Sequence, residues 1–413
     1  MGNHAEHPAK PVPSPAKPRP ARQRLAAGVA AALAWVILIS CGDVYRPVAN
    51  PILKPGGDPQ TLRVALVLSS NAGAPGVSSV VDVSGDTNIG NFPVGLGPVH
   101  AALKGTGLAV VANKNGDTLS LFTPTTQGSQ VTTLSLAAGS APVFVGSTEG
   151  ARIYVANSGA NSIGVINLSQ ATPQDPLPVG RTPVALAETP DATRLYSVNQ
   201  GDGTVTAISP TSGSVLTTIP VGNSPVAAAM KSDGTTLYVL NQGSGTVSVI
   251  DTATNTVTAT LPTGAAPRFL IYDSHLRRLY VANTGASTIS VFNADVGLVP
   301  LRTVDVGAGP ASIAPLPDGT RVYVANAGCS DAVNLANCSG NTVSVVDAIS
   351  FAVRKTIDVG SAPVSLAADS TSTKVVVANR DSNSISSIRT SDDTVINTLP
   401  SGSPQPTFVV VSP

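Results

Sequence analysis

Residues 238–267 read YVLNQGSGTVSVIDTATNTVTATLPTGAAP. Three runs rich in Val, Ile, Leu and Thr are separated by turns carrying Gly or Asn, the alternation of strand, turn and strand. Close variants recur as VVANKNGDTLSLF, YVANSGANSIGVIN, YSVNQGDGTVTAIS, YVANTGASTISVFN, YVANAGCSD…GNTVSVVD and VVANRDSNSISSI. Each centres on an asparagine: Asn113, Asn157, Asn199, Asn241, Asn283, Asn326 and Asn379. An eroded first copy, VALVLSSNAGAPGVSSVVDV, contributes Asn71. Successive spacings are 42, 44, 42, 42, 42, 43 and 53, the last lengthened by an insertion after Asn326.

A second marker, Gly-x-x-Pro, keeps step from Gly95–Pro98 to Gly360–Pro363. Between markers lie four strand-like runs, here A to D. In the copy around Asn241 they are Val226–Lys231, Thr236–Leu240, Thr246–Asp251 and Thr256–Pro262, with Asp233-Gly234 as a hairpin signal between the first two. Four antiparallel strands at this period predict the blade of a β-propeller. The composition agrees: 38 glycines and 34 prolines, 42% hydrophobic but only 4% aromatic and 12% charged residues. The repeats open in a B run and end in an A run, TFVVVSP, so the last strand is expected to complete the first blade and close the ring. The expectation is a single all-β propeller over 61–413 with eight four-stranded blades, seven being the alternative.

Ahead of it, a basic, proline-rich start leads into LAAGVAAALAWVILIS (Leu25–Ser40) and then Cys41. A positive stretch followed by about 15 apolar residues is signal-peptide grammar, since a spanning helix needs about 20. LISC, Leu38–Cys41, resembles the bacterial lipobox, which implies cleavage before Cys41 and its lipidation. Residues 1–40 are thus expected to be a lipoprotein-type signal, and 41–60 a lipidated cysteine with a proline-rich tether. An uncleaved membrane anchor is the alternative. Either places the body in the cell envelope of a bacterium, at its periplasmic or outer-membrane face. That body carries 19 basic and 23 acidic side chains after residue 41, no electrostatic footprint for nucleic acid.

The YVAN strand and Gly-x-x-Pro step resemble the YVTN family of β-propeller repeats across about Thr61–Pro413, with Ala-Asn mostly replacing Thr-Asn. The resemblance implies the propeller fold and an extracytoplasmic setting, not one function. The repeated asparagine reads as a turn former tolerant of left-handed backbone. The glycine of Gly-x-x-Pro reads as the residue permitting positive φ at the corner between blades.

Strand alternation puts the Gly-x-x-Pro corners and the loops after each Asn on one rim, and loops on a rigid scaffold are where binding is built. Departures from the repeat on that rim are His100, Arg268, Arg181 and the insertion AGCSDAVNLANCSGN, which holds Asp331. Cys329 and Cys338, the only cysteines after Cys41, are expected to form a disulfide in an oxidising compartment; free thiols or half a metal site are the alternatives. The body offers two histidines, His100 and His275, and two glutamates, Glu149 and Glu188, none in a catalytic motif. No catalytic residue, metal or cofactor is assigned. The first reading is a monomeric, membrane-tethered, non-enzymatic propeller whose rim binds an envelope protein, peptide or glycan. A lactonase-like metal-dependent hydrolase acting at the central channel, or a purely structural envelope protein, are the alternatives.

Overall fold

A computed structural model of the chain describes residues 63–412, apart from residues 72, 105, 106, 126–129, 148–151, 171, 296 and 332–335. The leader, Cys41 and the tether lie outside the described residues. Thirty-three of the strands fall into eight antiparallel sheets around one axis, with a two-stranded ribbon standing apart, so the eight-blade count holds. The one described helical element is a 3-10 turn at Lys114–Gly116.

Each A strand starts at a proline: Pro406–Val411 in blade 1, then Pro98–Leu103, Pro142–Ser147, Pro183–Glu188, Pro225–Met230, Pro267–Asp273, Pro310–Pro315 and Pro363–Ala368 in blades 2 to 8. Burial explains the sequence pattern of the other strands. In blade 5, B (Thr236–Asn241) and C (Thr246–Asp251) are buried almost throughout, whereas D (Thr256–Pro262) is largely exposed. B and C therefore read as continuous apolar runs, and D as the solvent-facing outer strand. Neighbouring blades share their cores; Tyr238, Leu240 and Val249 of blade 5 pack with Leu270, Leu279 and Phe292 of blade 6. Burying each such side chain stabilises the ring by about 1.5–3 kcal/mol.

Polar latches repeat between blades as well. Arg152 donates to the Pro210 carbonyl at 2.8 Å, and Arg278 and Arg321 reach the carbonyls of Ala348 and Thr390. Each arginine opens a B strand and holds the C–D turn of the next blade.

The ring closes as expected. Strand A of blade 1 pairs with Val64–Asn71, Ala65 facing Val411 and Val67 facing Val409, and Ala74–Asp82 and Thr87–Leu96 complete the sheet. Arg63 and Asp369 form an ion pair at 3.1 Å across the seam, and Asn397 donates to the Asp86 carbonyl at 2.7 Å.

Two details differ from the sequence reading. The asparagine is not in a left-handed turn; it ends strand B buried, and its amide donates into strand C. Asn241 Nδ2 reaches Thr246 at 3.1 Å and Ser248 at 2.9 Å, and the same pair of bonds recurs at Asn113, Asn199, Asn283, Asn326 and Asn379. Nor does the corner glycine generally supply positive φ. A Cβ on Gly95 would come within 2.7 Å of the Asn113 amide, and one on Gly264 within 2.6 Å of Asn283, so glycine is required for close approach. Positive φ falls instead on the residue before each proline, including Ser224 (47°), Ala266 (45°) and Ala362 (53°).

Candidate binding site at the channel mouth

The shared rim is built by backbone hydrogen bonds. Gln242 N donates to Ser224 O at 3.0 Å and Gly243 N to Asn223 O at 3.0 Å, tying the loop after Asn241 to the preceding Gly-x-x-Pro corner. The same double link ties Arg380 and Asp381 to Ala362 and Ser361. Chain direction then places the first residues of every A strand at this rim, next to the axis.

All eight A strands converge there on a cavity of about 300 Å³. Its wall is mostly Val, Ala and Phe, with His100 from blade 2 and Arg268 from blade 6, so the structure brings these two rim candidates to one opening. They belong to the mouth of the channel rather than to surface loops. The residue two places after each proline forms an inner ring: Phe408, His100, Phe144, Ala185, Ala227, Phe269, Ser312 and Ser365 in blades 1 to 8. Blades 1 to 3 make an aromatic arc, the His100 ring standing 4.1 Å from Phe144 and 4.6 Å from Phe408. That arc was invisible in any single repeat, because it depends on which blades are neighbours.

The ring also explains how the A strands meet. His100 Nδ1 accepts from Val145 N at 3.3 Å, Ser312 Oγ from Leu366 N at 3.3 Å, and Ser365 Oγ from Val409 N at 3.1 Å. In each case a polar ring residue caps the inward amide of the next blade's A strand. Desolvation between the aromatic rings pushes the His100 pKa down to about 3, so the ring is neutral and keeps its acceptor nitrogen.

The other candidates stand apart from the cavity. Arg181 lies on an exposed corner of the rim, its Nε 2.5 Å from Asp202 Oδ1, an ion pair of small energetic consequence. The backbone N–H and then the guanidinium of Arg181 hold the Asp202 carboxyl below its ordinary range. Cys329 and Cys338 are bonded, facing each other across a small ribbon, Cys329–Asp331 with Ala336–Cys338. The base of the ribbon packs on Ala311 and Val364, which also line the cavity, so the insertion braces the mouth from behind. Asp331 lies on that ribbon. His275 sits at the opposite end of its blade, in the turn after strand A, and Glu188 lines a separate cavity of about 250 Å³ between blades 3 and 4.

Geometry and comparison agree that the chain is a β-propeller. The family described as lactonase, 7-bladed β-propeller, matches residues 228–411, less than half of the chain. Among solved structures, the dihydro-haem d1 dehydrogenase NirN is similar with a TM-score of 0.70 and 11% identity, over 88% of this chain and 78% of that one. A Bacteroides fragilis protein named as a candidate 6-phosphogluconolactonase gives 0.58 and 16%, over 86% and 100%. Hydrazine synthase of Kuenenia stuttgartiensis gives 0.57 and 17%, over 71% and 96%. At such identities the likeness is one of fold. No curated protein matches the sequence.

Proposed function

We propose that the protein is an exported, membrane-tethered, non-enzymatic propeller that presents the Gly-x-x-Pro rim, with the channel mouth at its centre, to an envelope protein, peptide or glycan. The observation that carries this reading is convergence: His100 and Arg268 line one opening, and the strapped insertion packs against the back of its wall at Ala311 and Val364. The test is capture from bacterial envelope extract by the full-length protein and by a His100→Ala/Arg268→Ala variant. A partner held by the wild type and lost by the variant, at nearly equal melting temperature, supports the reading. Equal capture by that variant and by one lacking residues 329–338 sinks it. Tethering is tested separately: Cys41→Ser leaves the precursor unprocessed and its apolar segment attached, whereas mature protein beginning elsewhere excludes lipidation at Cys41.

A lactonase-like hydrolase is the second reading, favoured by the family match over residues 228–411. Such chemistry needs oxygen ligands converging on a divalent cation. The described residues lining the channel mouth include no carboxylate, and no group of three His, Cys, Asp or Glu stands together among the described residues. The donor set of the channel does not fit that ion. Lactone hydrolysis by purified protein supplied with calcium or magnesium would nevertheless establish this reading over the first.

A further inference from the structure

We infer that the channel mouth holds a small carboxylate with an aromatic or apolar body, bound between blades 5 and 6. This goes beyond the rim reading and does not depend on it. The argument starts from the inner edge of the A strands, which has no neighbouring strand and turns backbone groups toward the axis. In blades 3, 8 and 1 the inward amides of Val145, Leu366 and Val409 are capped by His100, Ser312 and Ser365 of the preceding blade. The equivalent amides in blades 5 and 6 belong to Ala228 and Leu270, three residues after Pro225 and Pro267. The register is the same in each case: Ala228 pairs with Val239 and Leu270 with Val281, as Leu366 pairs with Val377. The capping positions that face them are Ala185 and Ala227, whose methyl groups accept nothing.

The substitution of alanine for serine does two things at once. It leaves two adjacent donors without the cap that blades 3, 8 and 1 have, and, unlike the phenylalanines facing blades 2, 4 and 7, it opens space in front of them. Ala185, Ala227, Ala228 and Leu270 all line the 300 Å³ cavity, so donors and space belong to one site. The Leu270 amide belongs to a buried residue and that of Ala228 to a half-buried one, both facing the cavity, so an oxygen acceptor brought by a ligand has two donors to meet there. Strand edges carry carbonyls as well as amides and do not by themselves select charge. Arg268 does so: it opens the same A strand as Leu270 and is the one charged side chain among the described residues lining the cavity. Opposite lie Phe144, Phe408 and the neutral His100, a surface for the flat apolar body of such a ligand.

The proposal is tested with phenylacetate as probe and the full-length protein, by calorimetric titration and thermal shift. Phenylacetate is expected to bind and raise the melting temperature, and phenylacetamide to bind about tenfold more weakly or worse. Ala227→Ser installs the cap already present at Ser312 and Ser365. It should weaken phenylacetate about tenfold or more without lowering the melting temperature. Arg268→Gln should weaken phenylacetate by a similar factor and leave phenylacetamide nearly unchanged. Should either variant fold poorly, the other carries the test. Absence of phenylacetate binding, equal binding of acid and amide, or undiminished binding by a folded Ala227→Ser protein would each overturn the inference. Failure here leaves envelope capture by the rim standing, and the reverse holds equally.

Discussion

Lys374 Nζ lies 2.5 Å from Asp86 Oδ2, latching the eighth blade to the first by charge as well as by the strand pairing at the seam. Lys374 also donates to the Ser84 carbonyl at 3.2 Å, and Arg63 holds Asp369 in the opposite direction. Closure is therefore a distributed structure, with one strand at its centre.

Deleting the last ten residues removes that strand and, with it, the packing of Phe408, Val409 and Val410. Full burial is worth about 1.5–3 kcal/mol, which applies to Val409, and the half-buried Phe408 and Val410 add less; with the strand pairing, the loss is a large share of an ordinary domain's stability of about 5–15 kcal/mol. The truncated protein should show no cooperative transition near the wild-type melting temperature by circular dichroism. Melting unchanged would refute the role given to the seam.

The corner predicts opposite effects two residues apart. Ala266 pays for left-handed backbone, about 1–2 kcal/mol, and glycine costs about 0.5–1 kcal/mol in entropy, so Ala266→Gly should be stabilising by roughly 0.5–1 kcal/mol. Gly264→Ala drives a methyl into Asn283 and should destabilise by about 1–3 kcal/mol. Urea denaturation midpoints of the two variants decide it. A shift of the same sign in both would contradict the division of roles within Gly-x-x-Pro.

Acid sensitivity should come in two stages. The folded His100 pKa, lowered to about 3, lies below the ordinary value of 6.5, so between them the unfolded chain binds more protons and stability falls as pH falls. The slope is at most about 1.4 kcal/mol per pH unit, the limit for a single titrating proton. Asp369 acts later. Burial opposes its ionisation, but hydrogen bonds from Thr371, Thr373 and the Lys374 backbone outweigh this and hold its pKa below the usual range. Its contribution is present above the unfolded carboxylate value of about 4 and is lost as pH drops through the folded value. Melting temperatures from pH 7 to 3 should show His100→Phe flattening the first stage and Asp369→Asn only the second.

Reducing Cys329–Cys338, or replacing both by Ser, should remove about 2.5–3 kcal/mol of loop-closure stabilisation from the insertion. The effect is local: limited proteolysis should cut within residues 329–338 while the ring melts nearly as before. A large fall in the global melting temperature would mean that the ribbon braces more than the corner of blades 7 and 8.

The blade count, the seam and the disulfide were legible because each is written at a fixed period or as a unique pair. The asparagine's true role was also on the page. Hydroxyls stand five and seven places after Asn113, Asn199, Asn241, Asn283 and Asn379, a spacing that puts the first opposite the asparagine across a hairpin and the second on the same face two residues along. The reading as a turn former weighed local propensity and overlooked that register. The channel was not legible in the same way. His100, Phe144 and Phe408 are distant in sequence and meet because eight inner strands bend round one axis. Likewise Ala227 looks unremarkable in its own repeat; only the serine bonds in blades 7 and 8 give its missing hydroxyl a meaning.

The pairing of Ala65 with Val411 also sets an order of events in time. Strands B, C and D of blade 1 are made early by the ribosome, but the innermost strand of that blade arrives after all seven others. Until then the sheet presents Val64–Asn71 as a bare edge, open to pairing with another chain. Bringing the two ends together incurs loop entropy over most of the chain, although this grows only logarithmically with length. Such distant pairing makes folding slow, and the slow step is the one that removes the aggregation-prone edge. Any protease or chaperone that meets this protein before closure meets an arc rather than a ring.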